Sequence, residues 1–242
     1  VSAARNRGLA ELSSEAESFI FLDADDLWEP DTLETLAAAL DATPDAVGAH
    51  GFARFVDAQG QPCRVGEMEK WTRERKIACG SRILPLPPDA PTTFAALALF
   101  DCIAIGTALV RASAVPQCRG FAMSMTHAED WDWWLQVARA GDFVFVNQLV
   151  LNYRQHESNA SRHSRRATEG EQSLSRAWAV DPDSTPEQRR LVCVAYHLRE
   201  KTMGRRRLDW AGSSLKQRQF VEAAKHLRHA ARSFVRSLRP LS

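Results

Sequence analysis

The sequence predicts an α/β fold followed by a helical C-terminal appendage. Up to about residue 153, short apolar segments typical of strands alternate with segments of helical periodicity. From about Glu169 onward, helical periodicity alone remains. The 242 residues are 45% hydrophobic and 25% charged, which is an ordinary composition for a globular protein with a sizeable core. We therefore expect an α/β domain over residues 1–165 and a helical region over residues 166–242.

The first part of the predicted α/β domain contains two helices and two strands. A short amphipathic helix is predicted over residues 3–12. Residues 18–22 are apolar after the first position, as in a strand of a parallel sheet that is covered on both faces. A second helix is expected to start around Pro30, because proline fits the first turn of a helix, and to end near Pro44. Residues 47–57 are predicted as the next strand.

The second part of the domain begins with a long irregular segment. Residues 61–91 are rich in proline and lack apolar periodicity, which predicts a loop that serves as a lid or an insertion. A helix is predicted over residues 129–140, because Trp131 and Trp134 share one face and Gly141 follows as a terminator. The remaining predicted elements are a helix over 93–100 and strands over 105–111, 143–146 and 149–153.

The chain ends in a basic amphipathic helix. The net charge of the whole chain is +1, but twelve Lys/Arg and only three Asp/Glu follow residue 198. One stripe of the last helix is apolar and consists of Phe220, Ala224, Leu227, Ala231, Phe234 and Leu238. The other side is basic and consists of Lys225, Arg228, Arg232 and Arg236. We expect the apolar stripe to pack on the preceding helices, with weak contact to an anionic membrane surface as the alternative.

Three carboxylates follow the predicted strand 18–22 directly, in the sequence Phe21-Leu-Asp23-Ala-Asp25-Asp26. Open α/β sheets bind ligands at the carboxyl ends of their strands, and clustered carboxylates repel one another unless a cation lies among them. The D-x-D spacing places Asp23 and Asp25 on one side of an extended chain, so that both can serve one Mg²⁺ or Mn²⁺ ion on a substrate diphosphate. The alternative is that the three acids only cap the helix that follows.

These motifs resemble those of the family 2 glycosyltransferases. Residues 4–8 read A-R-N-x-G, and residues 21–31 place D-x-D-D after a strand, as in that family. The resemblance covers about residues 1–161 and implies a GT-A fold, which has a Rossmann-like, mixed and mostly parallel sheet. The family's first β-α-β stretch has no counterpart here, so the resemblance implies an N-terminally truncated catalytic domain that lacks its first strands.

The resemblance implies roles in donor binding for residues of the first acidic group. Asp23 and Asp25 would contact the nucleotide-sugar and its metal, with Asp25 as the direct metal ligand, and Asp26 would be accessory. Arg5 matches the family's arginine near the nucleotide base. Its alternative is an ordinary surface arginine on an exposed helix face.

The segment Glu129-Asp130-Trp131-Asp132-Trp133-Trp134 resembles the family's E-D motif at the start of a helix. Asp130 would be the general base, since a carboxylate at a helix N-terminus stays ionised and can take the proton of an attacking hydroxyl. Glu129 would contact the acceptor. Trp131 and Trp134 lie on the apolar stripe, whereas Trp133 points elsewhere and is our candidate for stacking on an acceptor sugar. For the two acids, simple helix capping is the alternative.

A basic segment follows the last predicted strand. Its sequence Tyr153-Arg-Gln-His156 resembles the family's Y-R-x-H segment, in which the histidine reaches the metal in some members. His156 is accordingly a candidate metal ligand, and Arg154 is a candidate for neutralising the leaving diphosphate. The alternative is a solvated basic loop, which we expect to be mobile over residues 154–166.

We interpret the chain as an inverting, metal-dependent glycosyltransferase that uses a nucleotide-sugar, with UDP as the nucleotide implied by the family. The alternatives are a truncated, inactive glycosyltransferase-like binding module and a phosphatase of the haloacid dehalogenase type. That phosphatase class favours Thr or Val at the position of Leu27. The metal would be Mg²⁺ or Mn²⁺, and the acceptor a saccharide, a lipid-linked molecule or a protein.

The expected location is the cytoplasm, with membrane association on the cytoplasmic face as an addition. The five cysteines are odd in number and form no C-x-x-C pair, which fits reduced thiols. No apolar segment approaches the roughly 20 residues that are needed to cross a bilayer. The balanced overall charge gives no reason to expect a nucleic-acid partner.

Overall fold

A computed structural model describes residues 1–63, 87, 89–125, 127–156 and 164–239 of the chain. It divides into two compact units, Val1–Glu171 and Gln172–Ser242. The proposed lid at 61–91 and the basic loop after His156 lie largely outside the described residues.

The described residues of the first unit form five strands and four complete α-helices. The helices are α1 (Ser2–Ala10), α2 (Thr32–Asp41), α3 (Phe94–Leu99) and α4 (Glu129–Val137). The strands are β1 (Ser18–Ile20), β2 (Leu27–Trp28), β3 (Gly48–Val56), β4 (Ala108–Arg111) and β5 (Phe143–Arg154). Two short 3₁₀ helices, Ile105–Thr107 and Ala112–Gln117, flank β4.

The five strands form one mixed sheet in the order β1-β4-β3-β5-β2. Among these described strands, β3 and β5 pair in parallel, and the other three pairs are antiparallel. The sheet is therefore mixed, as predicted, but the expectation of a mostly parallel sheet is wrong for these strands. The physical reason is that strand order in the sequence does not fix pairing: β1 pairs with the distant β4, and β2 pairs with β5.

The strand directions still bring one set of strand ends together. Because β1 and β3 are both antiparallel to β4, and β5 is parallel to β3, the strands β1, β3 and β5 run the same way. Their carboxyl ends therefore lie at one edge of the sheet. The acidic segment 21–26 follows β1 at this edge and leads to β2 at the opposite end of the strand order.

The core of the sheet is built on one face of α2. Leu36 and Leu40 are 0% and 2% exposed and belong to a cluster with Ala49 and Ala53 of β3 and Leu151 of β5. Small residues on β3 let the helix approach the sheet closely, and burial of the leucine side chains drives that packing.

Several element boundaries differ from the predictions. β1 ends at Ile20, and all three of its residues are only half-buried. It lies at the edge of the sheet, so it is less covered than the central strand that the sequence predicted. The two short strands predicted over 143–153 are one strand, β5. Its register with β3 shifts between His50 and Phe52, because these residues pair with Phe145 and Leu149 of β5. This irregularity in the pairing lies where the sequence predicted a break between two strands.

Three helices follow the sheet: α5 (Ser164–Ala179), α6 (Pro186–Lys216) and α7 (Phe220–Ser237). The boundary between the two units lies within α5. A reciprocal capping box begins α6: Gln188 N–H donates to Thr185 Oγ1 at 3.1 Å, and Thr185 N–H donates to Gln188 Oε1 at 3.0 Å. None of the helices in the described residues is both long enough and apolar enough to span a membrane.

The expectation that the apolar stripe of α7 packs on the preceding helix is wrong. The buried residues of α7 are Ala223, Ala230 and Ser233, which are small. Gly204 of α6 lies against Phe234, where an added Cβ would come within 3.0 Å of the ring. Small residues on both helices allow close approach, so the rest of the large apolar stripe lies on the outer side of α7.

Candidate functional site

The carboxyl edge of the sheet holds the first acidic group. Arg154, the last residue of β5, fastens this segment to the sheet: its backbone N–H donates to Asp26 Oδ1 at 2.8 Å, and its Nε donates to the Asp25 carbonyl at 2.8 Å. Its Nη1 donates to the carbonyls of Ala58 and Asp57 at 2.7 and 3.3 Å. Arg154 thus bonds the acidic segment to the turn after β3. In this structure it is a positioning residue, and its role in neutralising a leaving diphosphate stays a prediction.

Asp26 is the buried member of the acidic group. It is 5% exposed, and its Oδ2 is buried without a hydrogen-bond partner. Its pKa is raised to about 6, and burial is the largest cause. The hydrogen bond from the backbone N–H of Arg154 lowers the pKa, and the charges of Asp25 and Asp23 raise it. The buried side chain therefore orients the acidic segment through its bond to the Arg154 backbone, which fits the accessory role expected for it.

Asp25 and His156 form the open part of the group. His156 Nε2 lies 2.7 Å from Asp25 Oδ2, and the two side chains are 31% and 40% exposed respectively. A carboxylate and an imidazole at this distance and exposure are accessible to a ligand in solution. The structure thus unites two of the three predicted metal ligands.

The third predicted ligand, Asp23, is bonded to Arg5. The Arg5 Nη2 donates to both carboxylate oxygens of Asp23 at 3.0 and 3.1 Å, and the Nη1 donates to Glu129 Oε1 at 3.1 Å. Arg5 is 8% exposed, so the alternative of an ordinary surface arginine is wrong. This one guanidinium connects the D-x-D segment to the E-D segment, which are more than 100 residues apart in the sequence.

Aromatic rings hold the arginine in place. The guanidinium lies over the ring of Phe121, 5.5 Å from its centroid, and Trp133 stacks on Phe121 with centroids 4.9 Å apart and an angle of 19° between the planes. Trp133 is 0% exposed, so the prediction that it faces an acceptor sugar is wrong. The reason is that α4 is buried on nearly all sides, and the position off the apolar stripe also points into protein.

Asn6 and Phe121 are site residues that the sequence reasoning missed. The Asn6 side chain bonds the backbone of Phe121 twice: Nδ2 donates to the Phe121 carbonyl at 2.9 Å, and Oδ1 accepts from its N–H at 2.7 Å. The preceding Gly120 has φ +81° and leaves no room for a Cβ, which would lie 2.8 Å from Asn6 Oδ1. The adjacency of Asn6 to Arg5 in the A-R-N-x-G motif was the available signal.

The second acidic group begins α4. Asp130 Oδ1 accepts a hydrogen bond from the N–H of Trp131 at 2.9 Å, and Asp130 is partly exposed. Burial raises the pKa of Glu129 and the neighbouring Asp130 charge adds to this, while Arg5 lowers it. Glu129 is oriented by Arg5, and the partly exposed Asp130 is the candidate carboxylate for proton transfer.

A divalent cation fits this site only in part. Among the described residues, no group of three or more His, Cys, Asp or Glu side chains is arranged to hold a metal ion. Asp25 and His156 meet, and Asp23 is bonded to Arg5 instead. An ion that takes one or two protein ligands and completes its shell from substrate phosphates and water suits such a pair.

Comparisons with known proteins agree with this picture. Residues 1–100 match the sequence model of glycosyl transferase family 2. The chain is also similar to the solved structure of S. aureus TarS 1-349 in complex with UDP-GlcNAc, with a TM-score of 0.52 and 12% sequence identity. This similarity covers 99% of the present chain and 62% of that chain. No curated protein matches the chain.

At this level of identity, the structural similarity establishes the fold alone. It confirms the predicted GT-A-like α/β fold, and it extends over the helices that follow the sheet. The family match independently confirms the predicted resemblance to family 2 glycosyltransferases over residues 1–100.

Proposed function

Because residues 1–100 carry the sequence of a family 2 glycosyltransferase domain, we propose that the protein transfers a sugar from a nucleotide diphosphate to an acceptor hydroxyl. The observation that carries this proposal is the Arg5 bridge between Asp23 and Glu129. The two acidic motifs are distant in sequence, and the bridge makes them parts of one site. The TarS structure contains UDP-GlcNAc, which favours a UDP-sugar as the donor.

The proposed reaction is a direct displacement with inversion. Asp130 accepts the proton of the acceptor hydroxyl while the hydroxyl oxygen attacks the anomeric carbon of the donor. The bond between that carbon and the diphosphate oxygen breaks, and the nucleoside diphosphate leaves with the bonding electrons.

The donor diphosphate is proposed to bind at Asp25 and His156. These two side chains would hold Mg²⁺ or Mn²⁺, which supplies neutralisation of the developing negative charge on the leaving group. Asp23, fixed by Arg5, is proposed as a further donor contact, and Asp26 and Arg154 keep the acidic loop in position. The acceptor is a saccharide, a lipid-linked molecule or a protein.

Nucleotide binding tests the donor site directly. Thermal unfolding would be recorded with UDP, GDP and dTDP, each with and without Mn²⁺. A ligand at about 100 times its dissociation constant stabilises the protein by about 2.7 kcal/mol, which is a shift of several degrees at about 2–4 °C per kcal/mol. We expect a shift with UDP that requires the metal and that Asp25→Ala abolishes.

Asp45→Ala is the matched control, because Asp45 is an exposed carboxylate that follows α2 in the sequence, whereas the acidic segment 21–26 precedes α2. It should retain the full shift. A shift that Asp25→Ala leaves unchanged would contradict the donor site. A normal shift without sugar transfer to any acceptor or to water would favour the inactive binding module, and phosphate release from a monoester would favour the phosphatase alternative.

A further inference from the structure

Helix α7 carries an apolar stripe on its outer side. Phe220, Leu227 and Val235 are 66%, 46% and 48% exposed, Leu238 directly after the helix is 82% exposed, and Ala224 and Ala231 between them are exposed as well. Val235 takes the place of Phe234 of the predicted stripe, because the Phe234 ring lies against Gly204. At 3.6 residues per turn, all six lie within about 80° of arc around the helix axis. Large apolar side chains grouped in this way on a surface usually mark a site of contact with another molecule or with a membrane.

A strip of basic residues adjoins this stripe. Lys225, Arg228 and Arg232 are exposed and follow the apolar stripe along one side, about one to two turns apart. The acidic residue of α7, Glu222, lies beyond Lys225 and pairs with it at 3.4 Å, a surface contact of small energetic value. Arg236 is directed to the inner side, where it pairs with Glu200 at 3.0 Å.

The inner face of α7 is already occupied. Ala223, Ala230 and Ser233 pack on α6, and Arg207 of α6 donates to Ser233 Oγ at 2.7 Å. The helix is thus held in the fold by its small residues, whereas the apolar stripe and the basic residues Lys225, Arg228 and Arg232 are directed outward. A helix that only needed to pack on α6 would gain nothing from large apolar residues on its outer side.

We propose that α7 binds the surface of a lipid bilayer that contains anionic lipids. The apolar stripe enters the boundary between headgroups and acyl chains, and Lys225, Arg228 and Arg232 contact the anionic headgroups, with their aliphatic stems lying along the apolar layer. Charge decides the occupant: an uncharged apolar partner would require the stripe but not the three cations beside it, whereas an anionic bilayer uses both.

Co-sedimentation of the whole chain with vesicles tests this proposal. The vesicles are equimolar phosphatidylglycerol and phosphatidylcholine, with pure phosphatidylcholine for comparison. We expect binding to the mixed vesicles, weak or no binding to the neutral ones, and loss of binding as salt screens the charges. Replacing Lys225, Arg228 and Arg232 together by Gln should weaken binding to the mixed vesicles by roughly a hundredfold.

The apolar contribution is tested by Phe220→Gln combined with Leu227→Gln, which should weaken binding about tenfold or more. The matched apolar control combines Val180→Gln and Val194→Gln, at exposed positions outside α7. The matched charge control replaces Arg190, Lys201 and Arg205 of α6 by Gln, since all three are exposed. Circular dichroism establishes that each variant is folded.

Absence of binding to mixed vesicles, equal binding to both kinds of vesicle, or unchanged binding by the α7 variants would each overturn the proposal. A dimer in analytical ultracentrifugation that the Phe220 and Leu227 substitutions abolish, without vesicle binding, would assign the surface to a second copy of the chain instead. These measurements do not involve donor binding, so their outcome is independent of the proposed function.

Discussion

Arg5 is the residue through which the two acidic motifs meet. Its guanidinium is buried and donates to Asp23 and Glu129, with Phe121 beneath it. Without this cation, the carboxylates of Asp23 and Glu129 would repel each other and lose their charge-assisted hydrogen bonds. The arginine is therefore required for the shape of the site before any substrate binds.

Replacing Arg5 by Ala should destabilise the protein. Removing one partner of a buried ion pair usually costs about 3–5 kcal/mol, and the 39% exposure of Asp23 reduces this to about 2 kcal/mol. Urea unfolding at neutral pH measures the difference. Arg7→Ala on the same helix is the control, because Arg7 is 77% exposed and its pair with Glu11 should contribute less than about 0.5 kcal/mol. Equal losses for the two variants would contradict the structural role of Arg5.

Asp26 should make the stability of the fold depend on pH. Its carboxyl has a pKa of about 6 in the folded state against 3.8 as the ordinary value. The folded protein therefore holds this proton more tightly than the unfolded chain. The stability it contributes is fully present below pH 3.8 and is lost as the pH rises through 6, which amounts to about 3 kcal/mol for a shift of about two pKa units.

Asp26→Asn removes this titration and keeps an acceptor for the N–H of Arg154. In the presence of a chelator, the difference in unfolding free energy between wild type and variant should move by about 2–3 kcal/mol in favour of the variant between pH 4 and pH 7. Urea unfolding at several pH values measures it. A difference that is flat with pH would show that the Asp26 pKa is not raised. Asp45→Asn, at an exposed site, should give that flat profile.

At the scale of elements, α1 is held by polar contacts more than by apolar packing. The sequence predicted an amphipathic helix, whereas Arg5 is the buried residue of α1 in the structure. The helix presents Arg5 to the acidic motifs and Asn6 to the loop before α4. The contacts of Asn6 determine where Phe121, and with it the arginine, can lie.

Asn6→Ala should loosen this loop. It leaves the N–H and carbonyl of Phe121 without their side-chain partner, and an unsatisfied buried polar group costs about 1–3 kcal/mol. We expect a loss of about 2 kcal/mol in urea unfolding and a smaller thermal shift with UDP and Mn²⁺. Gly120→Ala should act in the same direction, because its added Cβ meets Asn6 at 2.8 Å. Asn147→Ala, at an exposed position of β5, should change neither measurement, and a similar loss there would remove the case for Asn6.

At the scale of the whole molecule, the two units divide the roles that this chain offers. Val1–Glu171 contains the sheet and both acidic motifs, and Gln172–Ser242 contains the paired helices α6 and α7. The chain spans 62% of the TarS chain to which it is similar, so activity, substrates and partners are proposals for the whole protein. Membrane binding through α7, as proposed, would bring the proposed donor site to a lipid surface.

The sequence by itself determined the features that depend on neighbouring residues. Helical periodicity located α2, α4 and α7, and the chemistry of carboxylates at the end of β1 identified the candidate site. The resemblance of the segments around Arg5, Asp23 and Asp25 to family motifs predicted the fold, which the comparisons confirm. These predictions succeeded because spacing along the chain is fixed by covalent geometry, so a local pattern has few possible structures.

The tertiary structure alone decided which of these residues meet. It joined Asp23 to Glu129 through Arg5, turned Arg154 toward backbone carbonyls and buried Trp133 against Phe121. It also set the strand directions and directed the apolar stripe of α7 outward. Contacts between distant segments depend on packing of the whole chain, and periodicity shows that a helix has an apolar face without showing what will cover it.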